Sequence, residues 1–162
     1  MTAKIIKRFN LRINSSTKNI KMEIVCSTDS KYIMPTGIML LSLFESNRGE
    51  VVNVHLLHDQ DSAALLDSIR TIAARYQQNI HFYLINDDIF KHFPVGLDFQ
   101  VDHVGTSFAT YYRLYLTEIL PADIDKVIYL DGDILVVDKL VKLWNTSVEN
   151  YAIAAVPDSY NN

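Results

Sequence analysis

The sequence predicts an α/β domain built on a mostly parallel sheet, with helices on both faces. Three observations lead there. Apolar runs of strand length alternate with helical patterns along most of the chain. Polar residues collect just after each run, at the edge where open α/β sheets bind ligands. The run from Lys126 to Val137, rich in β-branched residues, is interrupted once, by Asp131-Gly132-Asp133.

The chain has 162 residues, enough for one domain with a real core but not for two comfortable ones. It is 49% hydrophobic and 21% charged, as soluble globular proteins are. A net charge of −4 gives no general affinity for nucleic acid. The single cysteine, Cys26, excludes an internal disulfide and a cysteine-based zinc site, and fits a reducing compartment. No apolar run of about 18 residues is present. The mildly basic N-terminus is followed by no apolar signal core.

Met1 to Lys21 reads as a basic lead-in, loosely docked or in contact with an anionic membrane surface. Asn14 to Asn19 is a cluster of breakers and links it to the domain. Met22 to Cys26 is the first strand. Ser27-Thr28-Asp29-Ser30 follows, then a helix from about Pro35 to Ser46, whose apolar residues run almost all round and predict deep burial. Val51 to Leu57 is the second strand, with His58-Asp59-Gln60 as its exit. Leu65, Ile69, Ile72 and Tyr76 mark an amphipathic helix capped by Asp61. Ile80 to Ile85 is the third strand, and Asn86-Asp87-Asp88 caps a short turn. Pro94 to Gly105 reads as a long loop. Ser107 to Leu120 is expected to be one helix, with Phe108, Tyr111, Leu114 and Tyr115 on one side and Arg113 near its middle. Val127 to Leu130 is the central strand and Ile134 to Val137 a second extended piece. A short helix around Leu140, Leu143 and Trp144 and a strand from Ala152 to Val156 close the pattern. No GxGxxG is present, so a dinucleotide fingerprint is absent.

Asp131 and Asp133 then sit at the carboxyl end of a central strand. Two carboxylates one residue apart form a hard oxygen site for a divalent cation, and a cation there could hold a diphosphate. Gly132 leaves room for phosphates to approach the backbone. An Asp-Gly turn is the plain alternative, but flanking apolar sequence makes unpaired charge costly there.

Four pieces, in matching order and spacing, carry a family resemblance: Ile24 to Tyr32, Ala109-Thr110-Tyr111-Tyr112-Arg113-Leu114, Val127 to Val137, and Leu143-Trp144. Over Lys21 to about Ser159 the chain resembles the retaining glycosyltransferases of family 8, which include glycogenin and bacterial lipopolysaccharide galactosyl- and glucosyltransferases. The resemblance implies a GT-A, Rossmann-like nucleotide-binding domain over 22–162, preceded by the basic extension 1–21. It implies transfer of a hexose from UDP-glucose or UDP-galactose to a glycan or lipopolysaccharide acceptor, with Mn²⁺ or Mg²⁺. By resemblance, Asp131 and Asp133 ligate the metal, and Gly132 sits with them at the diphosphate. Asp29 and Tyr32 hold uracil, Ser27 and Thr28 line its pocket, Arg113 approaches the sugar or phosphates, and Asp158 contacts the transferred sugar or acceptor. A cytoplasmic location with loose membrane association follows from the family and the lead-in.

One departure stands out. Family members carry a later histidine that completes the metal site, often in His-x-x-Gly-x-x-Lys-Pro-Trp, and neither that histidine nor that lysine is here. The five histidines (His55, His58, His81, His92 and His103) all precede Asp131. The expectation is therefore an N-terminal part, weak or inactive alone. His103, beside Asp102, reads as a loop residue. Two alternatives compete: a non-catalytic UDP-sugar-binding module, and a phosphatase of the haloacid dehalogenase type with Asp131 as nucleophile.

Overall fold

The computed structural model describes residues 4–7, 21–59, 63–93 and 107–156. Asp61, Asp102, His103 and Asp158, with the whole of the loop expected over 94–105, lie outside them.

The strands are β1 (Lys4–Lys7), β2 (Lys21–Thr28), β3 (Val51–His58), β4 (Asn79–Leu84), β5 (Lys126–Tyr129) and β6 (Ile153–Ala155). They form one sheet in the order β4-β3-β2-β5-β1-β6. Pairing is parallel from β4 through β5, and β1 runs antiparallel between β5 and β6. The chain moves outward from β2 to β3 to β4, then returns to place β5 on the other side of β2. The order therefore reverses between β2 and β5, and such a reversal opens a crevice at the strand ends. The loosely docked lead-in expected from the sequence does not hold for Lys4–Lys7. Ile5 pairs with Ile128 on one side and Ala154 on the other, so these four residues enter the sheet. Unpaired strand edges flank that position, and a short β-branched run satisfies both.

Alternation along the strands divides the core. Met22, Ile24 and Cys26, with Val52, Val54 and Leu56, face helices α1 (Ile33–Ser46) and α2 (Ala63–Arg75). Val25, Leu57, Val127 and Tyr129 face the opposite way, under Phe90, Tyr112 and Leu116. Both faces are covered, as a parallel sheet requires. Deep burial of α1 holds on one side only: Met34, Ile38 and Leu41 are exposed.

The single helix expected over Ser107 to Leu120 is instead broken. Two 3₁₀ turns, Phe108–Thr110 and Tyr112–Tyr115, precede a single-turn helix α3 (Leu116–Ile119). Aromatic residues are mediocre helix formers, and here their packing decides the backbone. Phe90 meets Tyr112 and Tyr115 at ring separations of 5.5 and 5.2 Å, and Phe93 meets Tyr111 at 4.8 Å. Leu114, expected on the packed side, is exposed.

The Ile134 to Val137 piece joins no strand ladder. It runs along α1, where the Val136 N–H donates to Ser42 Oγ at 3.0 Å and the Val136 carbonyl accepts from Ser46 Oγ at 2.7 Å. A helix α4 (Val141–Trp144) follows. Gly132 sits where this segment leaves β5. A Cβ there would lie 2.5 Å from Thr36 Oγ1 and 3.4 Å from the Ser27 carbonyl. The protein itself, rather than a ligand's phosphates, fills the direction a side chain would take.

A polar network runs from β2 across β3 to β4. Glu23 meets His55 Nε2 at 2.9 Å, Lys21 at 3.1 Å and Asn53 Nδ2 at 3.1 Å. His55 Nδ1 meets the Tyr83 hydroxyl at 2.9 Å. Burial alone would raise the Glu23 carboxyl, but hydrogen bonds with His55, Lys21 and Asn53 outweigh it and hold the group below its ordinary value.

Two outcomes follow. A carboxyl depressed in the folded state contributes stability above its unfolded pKa of about 4.3, and that contribution disappears as pH falls through the folded value. Glu23→Gln should cost about 1–2 kcal/mol at neutral pH and flatten the acid limb of a urea-unfolding series; an unchanged pH slope would count against this network. Gly132→Ala should destabilise by about 1–3 kcal/mol in the same assay, with part recovered by adding Thr36→Ala.

Candidate functional site

The cleft at the carboxyl ends of β2 and β5 has a volume of about 270 Å³. Three separated stretches build it. Ser27, Thr28, Asp29 and Tyr32 come from the β2 exit and the approach to α1. Ser107, Ala109, Thr110 and Arg113 come from the 3₁₀ segment, and Asp131, Gly132 and Asp133 from the β5 exit.

The β2 exit is shaped by local hydrogen bonding. Asp29, 93% shielded from solvent by its 7% exposure, accepts the Lys31 N–H at 2.8 Å and the Tyr32 N–H at 2.9 Å, both on Oδ1. A short acidic side chain thus caps the turn entering α1. Thr28 Oγ1 accepts from Thr36 Oγ1 at 3.0 Å and donates to the Asp29 carbonyl at 3.2 Å, pinning this turn to the helix. Tyr32 lines the cleft and is 38% exposed.

Arg113 is not the free surface charge that a helix would present. Its Nη2 donates to Asp131 Oδ1 at 3.0 Å and its Nε to the Thr110 carbonyl at 2.8 Å. The guanidinium lies over the Tyr129 ring, 4.6 Å from its centre. The Tyr129 hydroxyl and Ser27 Oγ are 2.5 Å apart. Burial, partly offset by Arg113 and Ser27, pushes the Tyr129 phenol up to about 12. Asp131 is half-buried and Asp133 exposed.

Among the described residues, the cleft therefore holds three carboxylates, Asp29, Asp131 and Asp133, against one guanidinium. A diphosphate would be repelled by that balance unless a cation came with it. Asp131 and Asp133 supply hard oxygen donors of the kind Mn²⁺ and Mg²⁺ take. Among the described residues no group of three or more His, Cys, Asp or Glu side chains gathers as a metal cage. The donor set suits a cation that keeps water or phosphate oxygens in its shell, as Mg²⁺ does.

The structure brings together Ser27, Thr28, Asp29, Tyr32, Arg113, Asp131, Gly132 and Asp133. Asp158 lies outside the described residues. The other exits serve other ends. Asp87 accepts a hydrogen bond from the buried Tyr112 hydroxyl, and Asn86 caps its turn by accepting the Asp88 N–H at 3.0 Å. Sequence reading missed Ser107 and the Tyr129 platform. The signal for Tyr129 was its place at the end of the central strand, beside Asp131, with a polar group in an otherwise apolar run.

The description of glycosyl transferase family 8 matches residues 23–162. The solved structure of galactosyltransferase LgtC in complex with donor and acceptor sugar analogs superposes with a TM-score of 0.69 at 32% identity, over 78% of this chain and 43% of LgtC. Lipopolysaccharide glucosyltransferase WaaO of Escherichia coli is 27% identical over 143 residues, 86% of this chain and 39% of WaaO. Glycosyltransferase GlyF of Streptococcus pneumoniae is 26% identical over 141 residues, 87% of this chain and 33% of GlyF. The chain thus spans well under half the length of these relatives. Its sheet and covering helices have the GT-A architecture expected, and the haloacid dehalogenase reading of Asp131 falls away. By the match over 23–162, this chain belongs to glycosyltransferase family 8.

Proposed function

We propose that the chain forms the donor-binding part of a metal-dependent, retaining hexosyltransferase. The donor is UDP-glucose or UDP-galactose, and the acceptor is a glycan or lipopolysaccharide saccharide. One observation carries the reading: eight residues assigned to the donor by family resemblance, from separated stretches of the chain, line a single cleft.

Asp29 would take the uracil N–H on Oδ2, since Oδ1 already holds two backbone N–H groups. Tyr32 would stack on the base, and Ser27 and Thr28 would line its pocket. Asp131 and Asp133 would hold Mn²⁺ or Mg²⁺, which supplies Lewis-acid stabilisation of the departing UDP. Arg113 would add fixed positive charge where negative charge develops on the phosphates. Its contacts to Thr110 and Asp131 hold the guanidinium at the cleft before any ligand arrives. The sugar would pass through an oxocarbenium-like state, and Asp158 would contact it or the acceptor. Among the described residues no helix is long and apolar enough to cross a membrane. In this reading the enzyme works in the cytoplasm, loosely associated with a membrane through its basic lead-in.

Calorimetry with UDP tests the proposal. Mn²⁺-dependent binding is expected, and Asp131→Ala/Asp133→Ala should weaken it at least 100-fold, roughly 2.7 kcal/mol. Arg113→Ala should weaken it about tenfold, the effect of losing one charge-assisted contact. UDP affinity indifferent to both Mn²⁺ and the double substitution would overturn the donor-site reading. Metal-dependent binding without sugar transfer to any saccharide would instead favour a non-catalytic UDP-sugar-binding module.

A further inference from the structure

Arg113 carries its charge on a long, flexible side chain, so its usefulness at the cleft depends on what orders it. Two hydrogen bonds fix its edges, to Thr110 and Asp131. Its Cζ lies over the ring of Tyr129, the last residue of β5, 4.6 Å from the ring centre. Tyr129 is fully buried, so it touches no ligand itself. Its ring and hydroxyl nonetheless both engage cleft residues: the ring lies under Arg113, and the hydroxyl meets Ser27.

A second buried tyrosine in the same core offers a contrast. The Tyr112 hydroxyl donates to Asp87, which does not line the cleft. Two phenols of similar burial thus have different partners. One ties the core to the turn after β4, and the other ties the core to the walls of the site.

We propose that Tyr129 is a positioning residue for the donor site: its ring orients the Arg113 guanidinium, and its hydroxyl fixes Ser27 against β5. The inference rests on the donor-site reading above. It adds a residue that touches neither nucleotide nor cation and acts through two that line the cleft. A planar guanidinium on an aromatic face keeps its five N–H donors directed outward along its edges. Arg113 then reaches Asp131 and an incoming phosphate from one orientation. The hydroxyl link holds the β2 exit at the spacing this orientation needs.

The test is a pair of double-mutant cycles, read by UDP calorimetry in saturating Mn²⁺, with thermal unfolding alongside. Tyr129→Leu should weaken UDP binding about tenfold, as loss of a desolvated cation–π contact allows. On the Arg113→Ala background the same change should have less than about twofold effect, because the two act as one unit. Tyr129→Phe keeps the ring and should weaken binding by no more than about threefold, an effect that vanishes on the Ser27→Ala background. Tyr112→Phe, the control, should lower the melting temperature and leave UDP affinity unchanged.

Independent, multiplying effects of Tyr129 and Arg113 would overturn the proposal. If Tyr129→Leu does not fold, the Tyr129→Phe and Ser27→Ala cycle decides, and independent effects there overturn it equally. Metal-dependent UDP binding that survives with independent Tyr129 effects sinks the positioning role alone. Absence of UDP binding in the unaltered chain sinks this role and the donor-site reading together.

Discussion

The parallel pairing of β5 with β2 is the constraint on which the cleft depends. Ile24 pairs with Ile128 and Val25 with Tyr129, and the Leu130 N–H extends the ladder to the Val25 carbonyl at 2.8 Å. This register brings Asp131 to the exit where Ser27 and Asp29 already stand. Both faces of the sheet are packed, so a slip by one residue would send Tyr129 into the helical face and Ile128 out of it. The hydrophobic pattern of the core thus sets the geometry of the polar edge. Function and stability share one register.

Two groups of polar residues are used in opposite ways. Across β2, β3 and β4, Glu23, His55, Asn53 and Tyr83 bond to one another. Their charges and donors are largely answered within the protein, which keeps buried polar groups tolerable. At the carboxyl ends, Asp29 caps a turn with one oxygen, Asp131 meets a single guanidinium, and Asp133 is exposed. Among the described residues that line the cleft, carboxylates outnumber cations. Such an imbalance beside a close-packed sheet is what a cation and an anionic ligand together would neutralise.

Gly132 shows how packing and chemistry meet at one position. Read as sequence, it is a turn residue that gives phosphates access to the backbone. In the fold, its missing side chain admits Thr36 and the Ser27 carbonyl. The Asp131-Gly132-Asp133 turn is therefore seated on α1, and its two carboxylates inherit the rigidity of that helix. Thr36 in turn bonds to Thr28. The proposed uracil-side wall and the proposed metal turn are linked through one buried threonine.

The sequence by itself determined the α/β class, the parallel strands β2 to β5, helices α1 and α2, and the members of the cleft that carry charge. These follow from local signals: periodicity, β-branched runs and polar exits all depend on neighbours within a few residues. Only the tertiary structure decided the rest. The 107–119 segment broke into 3₁₀ turns because its aromatic rings pack on Phe90 and Phe93, which lie well before it in sequence. Lys4–Lys7 became a strand because β5 and β6 left edges to pair. Arg113 found Asp131, and Tyr129 found Arg113 and Ser27, because pairing between remote strands set those distances. Side-chain partners across a sheet depend on strand order, and strand order is a property of the whole chain that no local window contains.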